Sequence, residues 1–231
     1  KWSNNFMAEQ VFRDLGTTSA AGDARGTWDG GRKVLQDFLK KAAPPVQKSN
    51  ILNGSGLYTG NRYSARQISS VLRYMHHHTW GPEYKSTLAI SGVDGTLGRR
   101  LRGESTKGKI RAKTGTLNQV SALAGYMITA SGREVAFVIL FNDPPVRAWR
   151  LRPEQDAIAT AIARENRRLH QPRDRSQRGI ADGERLHHVI ALQHVFHADE
   201  ELRGVDLGAV IMQQALHDHR NGRCARQHDQ P

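Results

Sequence analysis

The most constraining stretch of this chain is residues 120–141, "VSALAGYMITASGREVAFVILF". Two runs, 120–129 and 133–141, flank a tight turn that carries Gly132, a pattern that predicts an antiparallel hairpin. The second run is almost wholly apolar. A strand with no polar face must lie centrally in its sheet with layers on both sides. Just upstream, "KIRAKTGTLNQV" (109–120) opens on a third strand over 109–115, with Ile110 and Ala112 facing one way.

Helices are available to cover such a sheet. Residues 3–15 predict one, capped by Ser3 or Asn4 and buried through Phe6, Met7, Val11, Phe12 and Leu15, with Gly16 at its end. A loop of small residues leads to a second helix from Trp28 to about Ala42, with Val34, Leu35, Phe38 and Leu39 inward and Pro44–Pro45 closing it. A short strand and a Gly-rich turn follow. Ser64 and Gln67 have the spacing of a capping box, so a third helix starts near Ala65 and buries Ile68, Val71, Leu72 and Met75. Residues 88–103 predict loop and short helix. Pro153 opens a last helix through "PEQDAIATAIARE". These elements imply an α/β (α+β) fold, an antiparallel sheet flanked by helices.

Composition divides the chain. Ten of its 34 basic and ten of its 22 acidic residues lie beyond residue 164, so the whole net charge of +12 resides in 1–164. Eight of the 11 histidines lie beyond that point, and Lys113 is the last lysine although 118 residues follow it. We therefore expect one domain over 1–164 and an Arg/His-rich tail over 165–231. The abrupt change favours a tail translated past a damaged stop or out of frame over a small genuine appendage. The positive charge suits polyanions in general, and no nucleic-acid-binding motif accompanies it. No apolar run is long enough to span a membrane. A single cysteine, Cys224, excludes an internal disulfide framework. On a helix His76, His77 and His78 point in different directions and lack acidic partners at ligand spacing, so we expect a solvated helix end.

Three clusters could carry chemistry: Ser3-Asn4-Asn5 at a helix start, "NGSGLYTGNR" (53–62), and Lys113-Thr114-Gly115 at a strand end. An ammonium, a hydroxyl and a glycine at a strand end make a small anion site along which a substrate backbone can lie. Alone, each cluster also reads as an ordinary cap or turn. In order, Ser-x-Asn followed 110 residues later by Lys-Thr-Gly matches two of the three motifs of penicillin-recognising serine enzymes.

With the blocks "SNNFMAEQVFRDLG", "NGSGL", "NRYSARQ", "SGVDGTLGRRL", "RAKTGTL" and the hairpin, residues 1–164 resemble the C-terminal part of the class C low-molecular-mass penicillin-binding proteins, the D-alanyl-D-alanine carboxypeptidase/endopeptidases. The resemblance implies a serine β-lactamase/DD-transpeptidase-like fold, a periplasmic setting, and peptidoglycan peptides and β-lactams as partners. It implies an acyl-enzyme route that needs no metal or organic cofactor. By the same resemblance Ser3 relays a proton, Asn5 positions the substrate amide and Lys113 supplies charge. Thr114 and Gly115 form the edge along which substrate lies, and Thr116 donates a backbone N–H to the oxyanion. Two departures stand out. No Ser-x-x-Lys precedes Ser3, and Ser105-Thr106-Lys107 lacks the spacing, so the chain is expected to be a fragment without the nucleophile. Tyr58 and Thr59 stand where relatives often carry serine and arginine. The alternatives are a non-catalytic cell-wall-binding module of the same fold, or a β-lactamase-like hydrolase.

Overall fold

The computed structural model describes residues 1–17, 26–43, 49–58, 60–165 and the strand 188–195. The Pro44–Pro45 stop, Thr59, Cys224 and most of the tail lie outside these residues.

The three expected strands form one antiparallel sheet. β2 (Ile110–Thr116), β3 (Val120–Ile128) and β4 (Glu134–Asn142) pair in sequence. A two-residue strand, β1 (Ala89–Ile90), adds to the outer edge of β2, opposite Ala112 and Arg111 only. Gly132 takes φ +78 in the hairpin turn, the left-handed conformation for which glycine is suited. On the far side of β4 a fifth strand, β5 (His188–Val195), runs parallel to it, so part of the tail joins the sheet.

β4 is covered on both faces, as its sequence requires. Ala136, Val138 and Leu140 face one core with Phe12, Leu35, Leu39, Ile68 and Leu72. Val135, Phe137, Ile139 and Phe141 face a second with Leu97, Ile110, Leu123 and Ala159. The first core is roofed by α1 (Asn5–Gly16), α2 (Trp28–Ala42) and α3 (Ala65–His77). The second is closed by α5 (Arg152–Ala163). Thr27 caps α2, and Ser64 and Gln67 close a reciprocal capping box on α3. A seven-residue helix, α4 (Gly81–Thr87), with a proline in its first turn, was not expected from the sequence.

Two expectations are corrected. In α1 the inward residues are Ala8, Phe12 and Leu15, while Phe6 and Met7 are exposed. α1 is pinned to α2 through its second half, where a Cβ on Gly31 would collide with the backbone of Phe12 and one on Gly30 would lie 2.7 Å from Gly16 Cα, and its first turn, with Phe6 and Met7, lies outside that contact. The histidine run is likewise not a solvated end throughout. The His76 side chain is buried, its Nδ1 3.3 Å from Glu134 Oε2, and Glu134 also takes Lys85 Nζ at 2.8 Å.

Candidate active site

Ser3, Asn5, Thr114, Gly115 and Thr116 line one cleft of about 210 Å³, together with Ser55, Gly56, Leu57, Thr96, Leu117 and Arg152. Two long-range arrangements bring them together.

The first seats the start of α1 over β2. Lys1 forms an ion pair with Asp94, and Thr96 N donates to Lys1 O at 3.1 Å. Burial alone would raise the Asp94 carboxyl, but the hydrogen bonds from Lys1 and from the Ile90 amide outweigh it and hold the carboxyl below its ordinary value. The cap of α1 falls to Asn4, whose Oδ1 accepts from Met7 N at 2.9 Å. Ser3 therefore does not cap. Its backbone adopts φ +55, a left-handed conformation that costs a serine on the order of 1 kcal/mol and is held by the contacts on either side. Its hydroxyl instead accepts from Lys113 Nζ at 2.8 Å.

The second arrangement is the strand. Lys113 and Thr114 point to opposite faces of β2. Lys113 Nζ donates to Ser3 Oγ and, at 2.6 Å, to Thr114 O. Thr114 Oγ1 donates to Thr96 Oγ1 at 2.9 Å. Because β1 starts at Ala89, opposite Ala112, that strand does not cover the outer edge of residues 113–116, and Thr114, Gly115 and Thr116 line the cleft. On the inner side Gly125 of β3 lies opposite Ala112, and a Cβ there would stand 2.6 Å from Ala112 Cα. The glycine lets β2 lie close on β3, which sets the height of the Lys-Thr-Gly segment.

The opposite rim is the loop 53–57, and Glu9 holds it. Glu9 Oε1 accepts from Ser55 N at 2.9 Å, and its Oε2 accepts from Gly54 N at 3.3 Å and from Trp28 Nε1 at 3.2 Å. Burial pushes the Glu9 carboxyl up, but the hydrogen bonds from Ser55, Trp28 and Gly54 outweigh it and hold it below its ordinary value. Asn53 and Asn61 complete the loop: Gly56 N donates to Asn53 Oδ1 at 2.8 Å and Leu52 N to Asn61 Oδ1 at 2.7 Å. Of these residues, Glu9, Thr96 and Arg152 were not singled out from the sequence. Glu9 looked like an ordinary residue of an amphipathic helix, and nothing local marks Thr96 or Arg152. Tyr58, where relatives differ, is exposed beside the loop.

Chemically, the cleft offers an ammonium on a hydroxyl, a carboxamide, a strand edge with small residues, and several hydroxyls. That set suits a peptide laid along β2 and a proton moved at Ser3 Oγ.

Comparisons with known proteins identify the family of the chain. The model of the D-Ala-D-Ala carboxypeptidase 3 (S13) family matches residues 1–165. The D-alanyl-D-alanine carboxypeptidase of an Actinomadura species is 34% identical over 168 residues, 71% of this chain and 30% of that protein. The D-alanyl-D-alanine carboxypeptidase DacB of Haemophilus influenzae is 32% identical over 144 residues, 62% of this chain and 30% of that protein. The crystal structure of penicillin binding protein 4 (dacB) from Haemophilus influenzae matches with a TM-score of 0.63 at 27% identity, covering 71% of this chain and 38% of that one. A second structure of that protein, complexed with a β-lactam, matches with a TM-score of 0.54 at 29% identity, covering 58% and 31%. The chain spans about a third of the length of the curated relatives it matches. With ordered motifs, a shared fold and a match over most of its length, the chain belongs to the D-Ala-D-Ala carboxypeptidase 3 (S13) family.

Proposed function

We propose that this chain supplies the relay and substrate-binding half of a serine-type D-Ala-D-Ala carboxypeptidase/endopeptidase acting on peptidoglycan stem peptides in the periplasm. The observation that carries the reading is the 2.8 Å bond from Lys113 to Ser3, set in a cleft with Asn5 and the Thr114–Thr116 edge. The peptide lies antiparallel or parallel to β2, its backbone against Gly115, where no side chain intervenes. Asn5 hydrogen-bonds the substrate amide. The Thr116 N–H faces the carbonyl oxygen as negative charge develops on it.

The acyl step is a transfer. A serine oxygen attacks the carbonyl of the penultimate D-alanine, its proton passes to a base, and the bond to the terminal D-alanine breaks. Ser3 Oγ passes a proton to the departing amine, and Lys113 keeps that hydroxyl oriented while its charge favours a neutral base nearby. Water then hydrolyses the ester. The nucleophilic serine and its lysine belong to a Ser-x-x-Lys segment that residues 1–231 do not contain. The same cleft accounts for β-lactams as ligands, since a β-lactam amide presents its carbonyl and carboxylate to the same groups.

The test is covalent labelling with a fluorescent penicillin. The full-length gene product is expected to label stoichiometrically and to release D-alanine from a stem peptide. Residues 1–231 alone are expected to give no adduct. A stoichiometric adduct on residues 1–231 would sink this division of labour, and a full-length product that binds stem peptide without releasing D-alanine would identify a binding module instead.

A further inference from the structure

Lys1, just upstream of Ser3, is locked onto the segment 87–96. Its N donates to Thr87 O at 3.0 Å, its O accepts from Thr96 N at 3.1 Å, and its ammonium pairs with Asp94 Oδ2. The fit is close, for a Cβ on Gly95 would stand 2.6 Å from Lys1 O. Thr87 and Thr96 contribute backbone groups to this contact, whereas Asp94 contributes a side chain. Its Oδ1 accepts from Ile90 N at 2.7 Å, which ties the carboxylate to β1 and leaves Oδ2 for Lys1. On the other flank Asn4 is fixed as the cap of α1. Ser3 lies between these two anchors at φ +55, and from there its hydroxyl meets Lys113 Nζ. A serine released from one anchor returns to negative φ, and its Cβ–Oγ bond swings away. Neither Asp94 nor Lys1 is among the described residues that line the cleft.

We propose that Asp94 is a positioning residue for the proton relay: through Lys1 it holds Ser3 in the left-handed backbone that sets Ser3 Oγ on Lys113. The inference rests on the reading of Ser3 as the group that hands a proton to the departing amine. In that step the attacking serine loses its proton to a base, and Ser3 Oγ passes it to the amine nitrogen as the C–N bond breaks. A hydroxyl displaced by a fraction of an ångström transfers that proton more slowly while the peptide still binds. Because the Lys1–Asp94 pair is partly exposed, the loss expected without Asp94 is about tenfold.

The experiment measures kcat/KM of the full-length gene product on two substrates. One is a stem peptide ending in D-Ala-D-Ala, and the other is its thioester analogue, with thioglycolate in place of the last D-alanine. The amine leaves only with a proton on nitrogen. A thiol with a pKa of about 8.5 leaves as the thiolate, the electron pair on sulfur, and needs no relay. In Asp94→Asn an amide N–H faces the Lys1 ammonium, donor to donor, while Oδ1 still serves Ile90 N. The expected result is a loss of about tenfold on the peptide and under about twofold on the thioester. Asp94→Glu should recover part of the loss, Lys1→Met should repeat the peptide-selective pattern, and the double variant should be no worse than the poorer single one. Equal losses on both substrates, or no loss on the peptide, overturn the role of Asp94 and leave the cleft assignment standing. Ser3→Ala is the control for the reading beneath: a loss that is equal on both substrates overturns the relay at Ser3 and this inference with it. Should Asp94→Asn fail to fold, Lys1→Met decides by the same two outcomes, since the Lys1 side chain lies at the surface.

Discussion

Lys113 and Ser3, 110 residues apart in the chain, meet at 2.8 Å, ammonium to hydroxyl. The contact joins the strand that forms one wall to the residue just before the Asn4 cap of α1. If the two act together on one proton, removing either should cost about as much as removing both. In the full-length gene product, Ser3→Ala and Lys113→Met are each expected to lower D-alanine release about 10²- to 10⁴-fold, with the double variant no worse than the poorer single one. Steady-state kinetics of the three variants decide it, and losses that multiply would count against a shared step.

Glu9 makes the opposite rim sensitive to acid. Its carboxyl lies below its ordinary value of 4.5, the direction expected for an anion held by hydrogen bonds. A lowered folded value means that the stabilisation is fully present above about pH 4.5 and is lost as pH falls through the folded value. Glu9→Gln should therefore cost about 1 kcal/mol near neutrality and flatten the acid limb of stability. Urea midpoints measured between about pH 3 and pH 7 for both proteins give the comparison. An acid limb of unchanged slope in Glu9→Gln would assign it to other carboxylates.

The seat of β2 on β3 depends on the missing side chain at Gly125. Gly125→Val is expected to destabilise by about 3 kcal/mol, because the new atoms meet the Ala112 backbone, which cannot yield without moving the strand. Gly132, with φ +78 and nothing within 4 Å of a built Cβ, provides the contrast. Gly132→Ala should cost only about 1 kcal/mol, through its backbone alone. Denaturant unfolding distinguishes the two, and equal costs would refute the close-approach account.

The capping box of α3 is a local device with a local cost. Ser64→Ala should lower stability by about 1 kcal/mol, read from the same unfolding curves, without altering peptide binding at the cleft.

The parts of this fold that could be read from sequence are those with a repeating or punctuated local signal. The capping box placed Ala65, the all-apolar run placed β4 at the centre, and Pro153 marked the start of α5 to within one residue. The expected inward stripe of α1 failed at Phe6 and Met7 because hydrophobicity alone does not record whether another element packs over the first turn of a helix. α4 and β1 are too short to show a period. Ser3, Asn5 and Lys113–Thr116 were legible because their motifs resemble a family. Glu9, Thr96 and Arg152 were not, since their partners lie 45, 18 and 36 residues away and leave no local trace.

About one turn of α1 separates the two rims: Asn5 lines the cleft at one and Glu9 grips the loop of the other. The gauge of the opening is thus a covalent ruler, about 1.5 Å for each residue of helix. Side-chain substitutions along the exposed face of α1 leave that ruler intact, whereas one residue inserted between Asn5 and Glu9 swings the carboxylate by about 100° and unhooks the loop. Across homologous chains, point changes in this turn should be tolerated far more readily than changes in its length.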